Sequence, residues 1–470
     1  MVLTKINTVE MTNDGNSILR ELDVGHPSAR CLIELSQTQD EECGDGTTTV
    51  IILAAELLDK MVALLDKMHP IRLCRELTRV KNECIENLNG LGRKEEADVL
   101  QVVRSAVSTK LCTVIRLNIP EMAVEAAKKI KDENGPILCD IKHNLSILKI
   151  NGDFKESQVL DGIIIEKDII HAQMRRRIEE AKVLMLGCGL EYKKGETATS
   201  VKIRDGDDFT KMLQKEETQV RAMVDKIKAT GADLVLCEKG ISDLALSIMQ
   251  ENNITALRRF KKSDMNRLAK ATGSTVLSNL DEFDSESGSK LLGFCGLFEY
   301  KKIGETFYSF FTKCKEPKAV SVVIAAPTRD LANELERNFY DGVKVARNMI
   351  ESDTVLTGGG ATEMALAVLL GEGEKTRVRS GVAEALKSIP SILATNSGAE
   401  NTLELLSVLY NKQKETRNFN LGINGITGEI CEMDKIVSEA FKVKSQTIKS
   451  AFDAVMQLLR VDGIIECSRE

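Results

Sequence analysis

The stretch GDGTTT at positions 44–49 stands at the start of a strong helical pattern, and this combination decides how the chain is interpreted. Apolar residues recur close to every 3.6 positions from 48 to 67, which predicts an amphipathic helix. Glycines let a bound group approach the backbone, and a helix N-terminus offers unpaired N–H groups that suit phosphate. Asp45 beside a phosphate would be a reasonable Mg²⁺ ligand. The same six residues are equally typical of an ordinary capped helix that follows a turn.

Outward from this stretch, the sequence changes character twice. Helical patterns fill the first hundred residues, at 27–42, 48–67, 71–87 and 97–107. The middle is mixed, with strand-like runs at 162–165, 182–190 and 233–237 and amphipathic helices at 240–251 and Lys262–Thr272. Helical patterns return at 330–350, 360–370, 378–388, 402–411 and 443–460. This order predicts either one domain inserted into a helical domain or three domains in series.

Composition bounds the class of protein. The 470 residues predict two to four domains. The net charge of -7 argues against nucleic acid as a partner, because binding to phosphates requires an excess of basic residues. Twelve cysteines occur without a C-x-x-C pair or zinc spacing, which predicts free thiols in a reducing compartment. With no apolar N-terminal signal and no apolar run of about 20 residues, we expect a cytoplasmic protein without a membrane partner.

Three more motifs place polar residues beside glycines or on a helix. TNDG at 12–15 is typical of a turn, and GGG at 358–360 precedes a helical pattern that a flexible helix entry also explains. Asp341 lies on the predicted helix at 330–350, where a charged residue usually belongs to the solvated face. As a set, Asp14, Asp45 and Asp341 would be able to hold Mg²⁺ at a triphosphate and to position a water for attack.

The order of these motifs resembles that of a known family, the group II chaperonins. MTNDG, QDEECGDGTTTVIILAAELL, ERN-x-x-D and GGGA occur here in the family's order, and the resemblance covers nearly the whole chain. LEYKKGE, EKGISDLA and ALRRFKKSDMNRLAKATG look like the family's substrate-binding domain. The amino-acid sequences of residues 13–30 and of EYKKGE are most similar to those of the gamma branch of the eukaryotic cytosolic members.

The resemblance implies a multidomain fold. A mainly α-helical equatorial ATPase domain would comprise 1–104 and 358–470, and a small α/β intermediate domain would comprise 105–170 and 325–357. An α/β apical domain would span 171–324, with a helical protrusion near 196–221. The helical, mixed and helical order of the sequence agrees with this division.

The resemblance also implies roles for individual residues. Asp45 would bind Mg²⁺, and Asp14 and Asp341 would position the water that attacks ATP. The expected phosphate contacts are Gly46, Thr47, Thr48 and Thr49. The other expected nucleotide contacts are Thr109, Lys110, Gly359, Gly425, Glu439 and Lys444.

The function implied is ATP-dependent folding of other proteins. The chain would be one subunit of a cytosolic double ring built with paralogous subunits, in which hydrolysis drives closure of a lid. Its expected partners are non-native proteins of the actin and tubulin class and prefoldin-type co-chaperones, with no nucleic acid and no membrane.

One departure from the family keeps a second interpretation open. The family normally has a segment before MTNDG that ends in a Leu-Gly-Pro phosphate loop, whereas ten residues precede Met11 here. Either the gene model starts late, or the subunit binds ATP poorly and has a structural and substrate-binding role with weak or no hydrolysis. A third interpretation, an unrelated phosphotransferase, lacks the G-x-x-x-x-G-K-[ST] loop that would support it.

Overall fold

The computed structural model describes residues 1–3, 9–94, 99–132, 138–169, 171–192, 206–280 and 291–465. The chain forms two compact units, one made of Met1–Val124 with Asn333–Glu470 and the other of Glu125–Ala332. Both ends of the chain therefore build the first unit, and the second is inserted between them. The finer division into three domains stays a prediction.

The first unit is mainly helical. Its N-terminal helices are Gly15–Glu21, Pro27–Cys43, Thr47–Leu65, Pro70–Leu91, Val99–Val107 and Leu111–Ile115. Its C-terminal helices are Ala361–Glu372, Arg377–Leu386, Ser388–Asn396, Thr402–Thr416 and Phe441–Leu458. In the part of this unit that the structure describes, three antiparallel strand pairs accompany them: Val2–Leu3 with Val9–Glu10, Val355–Thr357 with Ser438–Ala440, and Leu421–Ile423 with Ile430–Glu432.

One apolar core joins the two ends of the chain in this unit. Leu53 and Leu57 from the helix Thr47–Leu65 are buried with Leu77 from the helix Pro70–Leu91 and with Phe452 from the C-terminal helix. These side chains lie on the apolar faces that the 3.6 periodicity predicts. Burial of this shared face holds the start of the helix Thr47–Leu65 against the C-terminal part of the chain.

The second unit is α/β. Its mixed sheet has seven strands among the described residues, in the order Ile163–Ile165, Thr306–Thr312, Gly293–Ile303, Arg177–Leu186, Leu234–Cys237 and Thr255–Leu257, with Val276–Leu277 also paired to Arg177–Leu186. A smaller sheet contains Leu145–Asn151, Val320–Ala326 and Gln158–Val159. Among the described residues, the helices that lie wholly in this unit are Ile141–Asn144, the 3₁₀ turn Phe154–Glu156, Gly206–Thr230, Asp243–Glu251 and Lys262–Thr272.

Two helices cross the boundary between the units in sequence. These are Ile119–Ile130 and Arg329–Glu351. The second is the predicted helix at 330–350, extended by one residue at each end. In the described part of the chain, no helix combines the length and the apolar character that crossing a bilayer requires.

The sequence patterns located most elements but not all their ends. The strand predicted at 182–190 is Arg177–Leu186, because its first half contains exposed residues that interrupt the apolar pattern and yet pairs with Gly293–Ile303. The helix Ile119–Ile130 and the hairpin from Gly293–Ile303 to Thr306–Thr312 were not predicted. Of the predicted protrusion at 196–221, residues 196–205 lie outside the described residues, and the rest begins the helix Gly206–Thr230.

A stability prediction arises at Gly162, where the edge strand Ile163–Ile165 begins. Gly162 has a φ of 151°, and a Cβ added there would lie 1.8 Å from the carbonyl oxygen of Phe311. We expect Gly162→Ala to cost about 3 kcal/mol, through strained backbone and a clash with a strand that cannot move freely. Thermal unfolding of the full chain measures this loss.

Gly231 is the matched control for this substitution. Its φ is 70°, but nothing lies within 4 Å of an added Cβ. Gly231→Ala should therefore cost only the conformational strain, about 1–2 kcal/mol. Equal losses for the two variants would contradict a specific clash at Gly162.

Candidate functional site

A cleft of about 600 Å³ opens in the first unit, a volume typical of small-molecule sites. Eight of the thirteen predicted site residues line it: Asp45, Gly46, Thr49, Thr109, Gly359, Gly425, Glu439 and Lys444. Apolar side chains complete the wall, namely Ile389, Leu393, Ile423, Ile426, Met433, Ile436 and Val437. The cleft thus combines charged groups with an apolar surface on which a planar ring would be able to lie.

Two helix N-termini face this cleft without side-chain caps. The helix Thr47–Leu65 begins after Gly46, which has a φ of 78° and makes no side-chain capping bond. The helix Ala361–Glu372 begins after Gly360 in the same left-handed conformation, again without a side-chain cap. Such ends carry unpaired N–H groups and a partial positive charge, which attract phosphate. At GDGTTT the N-cap is therefore Gly46 and not a side chain, and phosphate binding there stays a prediction.

Contacts on both sides of Gly46 fix this loop. Gln39 Nε2 donates to the Asp45 carbonyl at 3.1 Å and to Thr447 Oγ1 at 3.2 Å. A Cβ on Gly46 would lie 3.0 Å from Thr447 Oγ1 and 3.2 Å from Val443 Cγ1. Glycine is therefore required here both by the positive φ and by the close packing against the C-terminal helix.

Asp45 presents a carboxylate to the cleft beside positive groups. Its Oδ1 accepts the Gly46 N–H at 2.7 Å. Burial raises the pKa of Asp45, while the Gly46 N–H and the cations Lys110 and Lys444 act in the opposite direction. The described residues contain no group of three or more His, Cys, Asp or Glu side chains that would hold a metal ion by themselves. A single carboxylate fits Mg²⁺ that is bound mainly through nucleotide phosphates.

The TNDG segment places Asp14 at the N-cap of the helix Gly15–Glu21. Asp14 Oδ2 accepts the N–H of Ser17 at 3.0 Å and its hydroxyl at 2.7 Å. Thr12 Oγ1 accepts the N–H of Asp14 at 3.1 Å, and Asn13 Nδ2 donates to the Thr109 carbonyl at 2.9 Å. TNDG therefore forms an extended helix entry rather than the predicted turn, because Asp14 caps the helix that Gly15 begins, and this entry lies beside the segment that contains Thr109.

Lys110 forms an ion pair with Asp341, whose side chain is buried. Burial lowers the pKa of Lys110, but neighbouring carboxylates raise it by more, so that it lies above its ordinary value. Those carboxylates are Asp341, Asp14 and Asp45. Burial raises the pKa of Asp341 to about 6, against the attraction of Lys110. Three carboxylates from distant parts of the sequence therefore surround one lysine.

A second buried cation, Lys444, lies in the wall of the cleft. It pairs with Glu363, and its Nζ lies 3.0 Å from Glu439 Oε2. Burial lowers the pKa of Lys444, but the two carboxylates raise it by more. Burial raises the pKa of Glu439 to about 7, with Lys444 opposing and Glu363 adding to the rise.

The structure does not bring every predicted residue to the cleft wall. Thr47 and Thr48 lie in the first turn of their helix but do not line the cleft, and the Thr48 side chain is exposed. Lys110, Asp14 and Asp341 form the neighbouring charged group instead. The roles of all thirteen residues with a nucleotide stay predictions.

Sequence reasoning missed two buried acids of this region. Glu363, the partner of Lys444, is 4% exposed in the first turn of the helix Ala361–Glu372. Its signal was a charged residue inside the otherwise apolar run ATEMALAVLL. Glu334 is 2% exposed on the helix Arg329–Glu351, seven residues before Asp341.

Comparison with known proteins gives consistent matches along the whole chain. A profile of the TCP-1/cpn60 chaperonin family matches residues 1–469. T-complex protein 1 subunit gamma of Encephalitozoon cuniculi is 49% identical, with 100% of this chain and 91% of that protein covered. The subunits of the same name from Schizosaccharomyces pombe and Saccharomyces cerevisiae are 39% and 37% identical, with 100% of this chain and 91% of each protein covered.

A solved structure agrees with these matches. The open-state monomer of a group II chaperonin from Methanococcoides burtonii is similar to this chain with a TM-score of 0.63 and 30% identity. The similarity covers 89% of this chain and 100% of that chain.

Proposed function

Because this chain belongs to the TCP-1/cpn60 chaperonin family, we propose that it is a gamma-type subunit of a cytosolic chaperonin that binds and hydrolyses ATP itself. The multidomain group II chaperonin fold and the ATP-dependent chaperone function predicted from the sequence are confirmed by the family match, the gamma-subunit relatives and the structural neighbour. The phosphotransferase interpretation is wrong for the same reason. Hydrolysis at this particular subunit is the part that we propose.

The observation that carries the proposal is the charged end of the cleft. Two uncapped helix N-termini are available for phosphates, and Asp45 lies beside one of them. Asp14 and Asp341 lie close enough to Lys110 to raise its pKa together with Asp45. This arrangement supports binding of a triphosphate next to carboxylates that orient a water, which is the main protein contribution to phosphoryl transfer.

Each residue then has a definite task. Mg²⁺ bound with ATP would neutralise phosphate charge, and Asp45 would hold it. Lys110 keeps Asp341 ionised by its positive charge, so that the carboxylate is able to accept a hydrogen bond from water. Asp14 is held as an acceptor in the same region. The apolar wall, including Ile423 and Met433, would receive the base.

The assembly and its clients belong to the same proposal. The subunit would occupy one position in a cytoplasmic double ring of paralogous subunits and would help to enclose non-native proteins of the actin and tubulin class. Prefoldin-type co-chaperones would deliver such clients. The sequence motifs that resemble the family's substrate-binding domain support this part.

The test begins with the tagged chain purified gently from its own cells. We expect it to co-elute with paralogous subunits in a very large ATPase particle. Parallel samples of the particle are then photolabelled with 8-azido-ATP carrying ³²P at the α-phosphate or at the γ-phosphate, and this subunit is separated on a denaturing gel. Loss of the γ-label while the α-label is retained measures conversion of bound ATP to ADP. Mg²⁺-dependent label that converts to ADP supports hydrolysis here. Label that remains ATP, or no label, would favour the structural subunit.

Asp45→Asn tests the metal-binding part of the proposal. A contact to a charged group is worth about 1.5–3 kcal/mol, so we expect Mg²⁺-dependent labelling to weaken about 10–100-fold. Asp66→Asn removes an exposed carboxylate at the opposite end of the same helix and should leave labelling unchanged. Equal labelling of the two variants over a Mg²⁺ titration would argue against Asp45 as the ligand.

A further inference from the structure

The end of the helix Pro27–Cys43, just before the GDGTTT stretch, is held by side chains of a second helix. The last carbonyls of an α-helix have no partner within that helix, so they need donors from elsewhere. The helix Arg329–Glu351 supplies three of these donors: Lys344 bonds to the carbonyl of Asp40, Arg347 to that of Glu42 and Asn348 to that of Cys43. All six residues belong to the first unit. The two helices are therefore joined where the chain enters the loop of Asp45.

Asn348 is the fully buried donor of this set. Its Nδ2 donates to the Cys43 carbonyl at 2.9 Å, and its Oδ1 accepts a bond from Arg347 Nη2 at 3.5 Å. Both ends of the amide are therefore used, which offsets the cost of burying a polar group. Because the packed interior restricts its movement, this side chain fixes the Cys43 carbonyl against the helix Arg329–Glu351.

Gly44 brings the loop directly against the same helix. Its φ is 71°, and an added Cβ would lie 2.7 Å from Cβ of Lys344 and 3.2 Å from the carbonyl oxygen of Asp341. Glycine permits both this conformation and such close packing. The loop that carries Asp45 and the helix that carries Asp341 thus lie against each other.

The loop is also fixed from its other side. Gln39 donates to the Asp45 carbonyl, and Gly46 packs against the C-terminal helix. Neither contact involves the helix Arg329–Glu351. Loss of the Asn348 contact would therefore leave Asp45 in place and free that helix to shift.

Asn348 and Asp341 share one face of their helix. Positions 341, 344 and 348 recur at spacings of three and four residues, which places them on one face. Asn348 thus lies two turns from Asp341. Because a helix of this length moves as a rigid element, a shift at Asn348 would be passed on to Asp341.

We propose that Asn348 is a positioning residue for hydrolysis, which anchors the helix that carries Asp341 to the loop that carries Asp45. This inference rests on the proposed function, because it assigns Asn348 to the reaction in which Asp341 orients water. Asn348 does not line the cleft, so it would act through Asp341 and not on the nucleotide. It is also uncharged, so its replacement leaves the charges around Lys110 unchanged.

The experiment uses the assembled particle and the two photolabels described above, read at this subunit alone. Asn348→Leu keeps the approximate size of the side chain but leaves the Cys43 carbonyl without this donor. We expect conversion of bound ATP to ADP to slow about 10–100-fold, the usual cost of displacing a positioned group by about 1 Å. The ATP concentration that gives half-maximal labelling should not change, because Asp45 and the cleft wall stay in place.

A double variant tests whether the loss arises through Asp341. In the Asp341→Asn background the contribution of that carboxylate is already gone, so adding Asn348→Leu should slow the residual conversion no further. A merely structural role would make the two losses multiply. Multiplied losses, or an unchanged rate in Asn348→Leu alone, would overturn the inference.

Val80→Ala is the matched control for a general loss of stability. Val80 is buried in the core of the same unit and does not line the cleft. Its truncation should lower the temperature of thermal unfolding but leave conversion unchanged. If Val80→Ala slows conversion as much as Asn348→Leu at a similar loss of stability, the effect is not one of positioning and the inference is wrong.

Arg347→Met decides the matter if Asn348→Leu does not assemble, which native electrophoresis detects. Arg347 is partly exposed, and methionine keeps part of its packing while removing the donor to the Glu42 carbonyl. This variant should slow conversion to a smaller extent, again without a change in the ATP concentration for half-maximal labelling. Conversion at the original rate would in that case overturn the inference.

Failure of the inference is distinguishable from failure of the proposed function. If Asp341→Asn abolishes conversion while Asn348→Leu and Arg347→Met do not slow it, only the role of Asn348 is wrong. If Asp341→Asn leaves conversion unchanged, the subunit's hydrolytic mechanism is wrong as a whole.

Discussion

Replacing Asp341 by asparagine should lower ATP hydrolysis at this subunit by about 10²–10⁴-fold, the usual contribution of a group that assists proton transfer or orients water. The amide keeps the shape of the side chain but loses the negative charge and one acceptor oxygen. Because Asp341 does not line the cleft, nucleotide binding should persist. The photolabel should therefore enter the variant normally and remain as ATP.

The pH dependence of ATP hydrolysis at this subunit is a second test of the role of the Asp341 carboxylate. Burial raises the pKa of Asp341 to about 6. Hydrolysis needs the ionised form, so conversion at this subunit should fall as the pH drops through about 6 and should be level above it. The residual conversion of Asp341→Asn should lack this step.

Asp353→Asn is the matched control for the charge change. Asp353 is exposed and follows the end of the helix Arg329–Glu351. Loss of the Asp353 charge should change neither photolabelling of this subunit nor conversion of the bound ATP to ADP. If the original subunit itself binds label without converting it, Asp341→Asn will have no effect, and the subunit has a structural and substrate-binding role instead.

The sequence was sufficient to locate the end of the cleft at which we propose that phosphate binds. Its glycines and the apolar period after 48 predicted a helix N-terminus, and the structure has one at Gly46. The sequence was not sufficient to exclude an ordinary cap, because Asp45 and Thr47 are both common capping residues. The capping residue is the one that adopts the N-cap conformation. Tertiary packing of Gly46 against Val443 and Thr447 favours Gly46 in that position.

The sequence patterns did not predict which buried charged side chains pair with each other. Glu363 and Lys444 are 81 positions apart, and each lies on a helix where a charged residue is normally solvated. Only the fold places them together. The hairpin whose turn lies between Ile303 and Thr306 was not predicted. Its strand Gly293–Ile303 pairs on both edges and does not alternate cleanly between buried and exposed residues.

Lys444→Met should destabilise the first unit by about 3–5 kcal/mol, the usual cost of removing one member of a buried ion pair. Methionine fills similar space but leaves Glu363 and Glu439 buried without a counter-charge. Glu363 has a second carboxyl oxygen without a partner in the described residues, so it has no other compensation. Thermal unfolding of the full chain measures the loss.

The loss of stability in Lys444→Met should depend on pH, in a direction set by the raised pKa of Glu439. Glu439 already has its pKa raised to about 7 in the folded chain, above the value of about 4.3 for an unfolded glutamate. A raised folded pKa means that the native state binds the proton more tightly, so stability falls as pH rises through this window. Lys444 opposes this rise, so without Lys444 the pKa of Glu439 rises further. The variant should therefore be less impaired at pH 5.5 than at pH 8.5.

Two further variants test whether the loss of stability comes from the broken ion pair of Lys444. Lys449→Met removes an exposed lysine from the same helix and should cost little at either pH. Adding Glu363→Gln to Lys444→Met should recover much of the stability at pH 8.5, because it removes one uncompensated charge. An equal loss for the two lysine variants, or a loss that does not vary with pH, would mean that Glu363 and Glu439 find other partners. The wall of the cleft would then not depend on Lys444, and its charge would be available entirely for a bound phosphate.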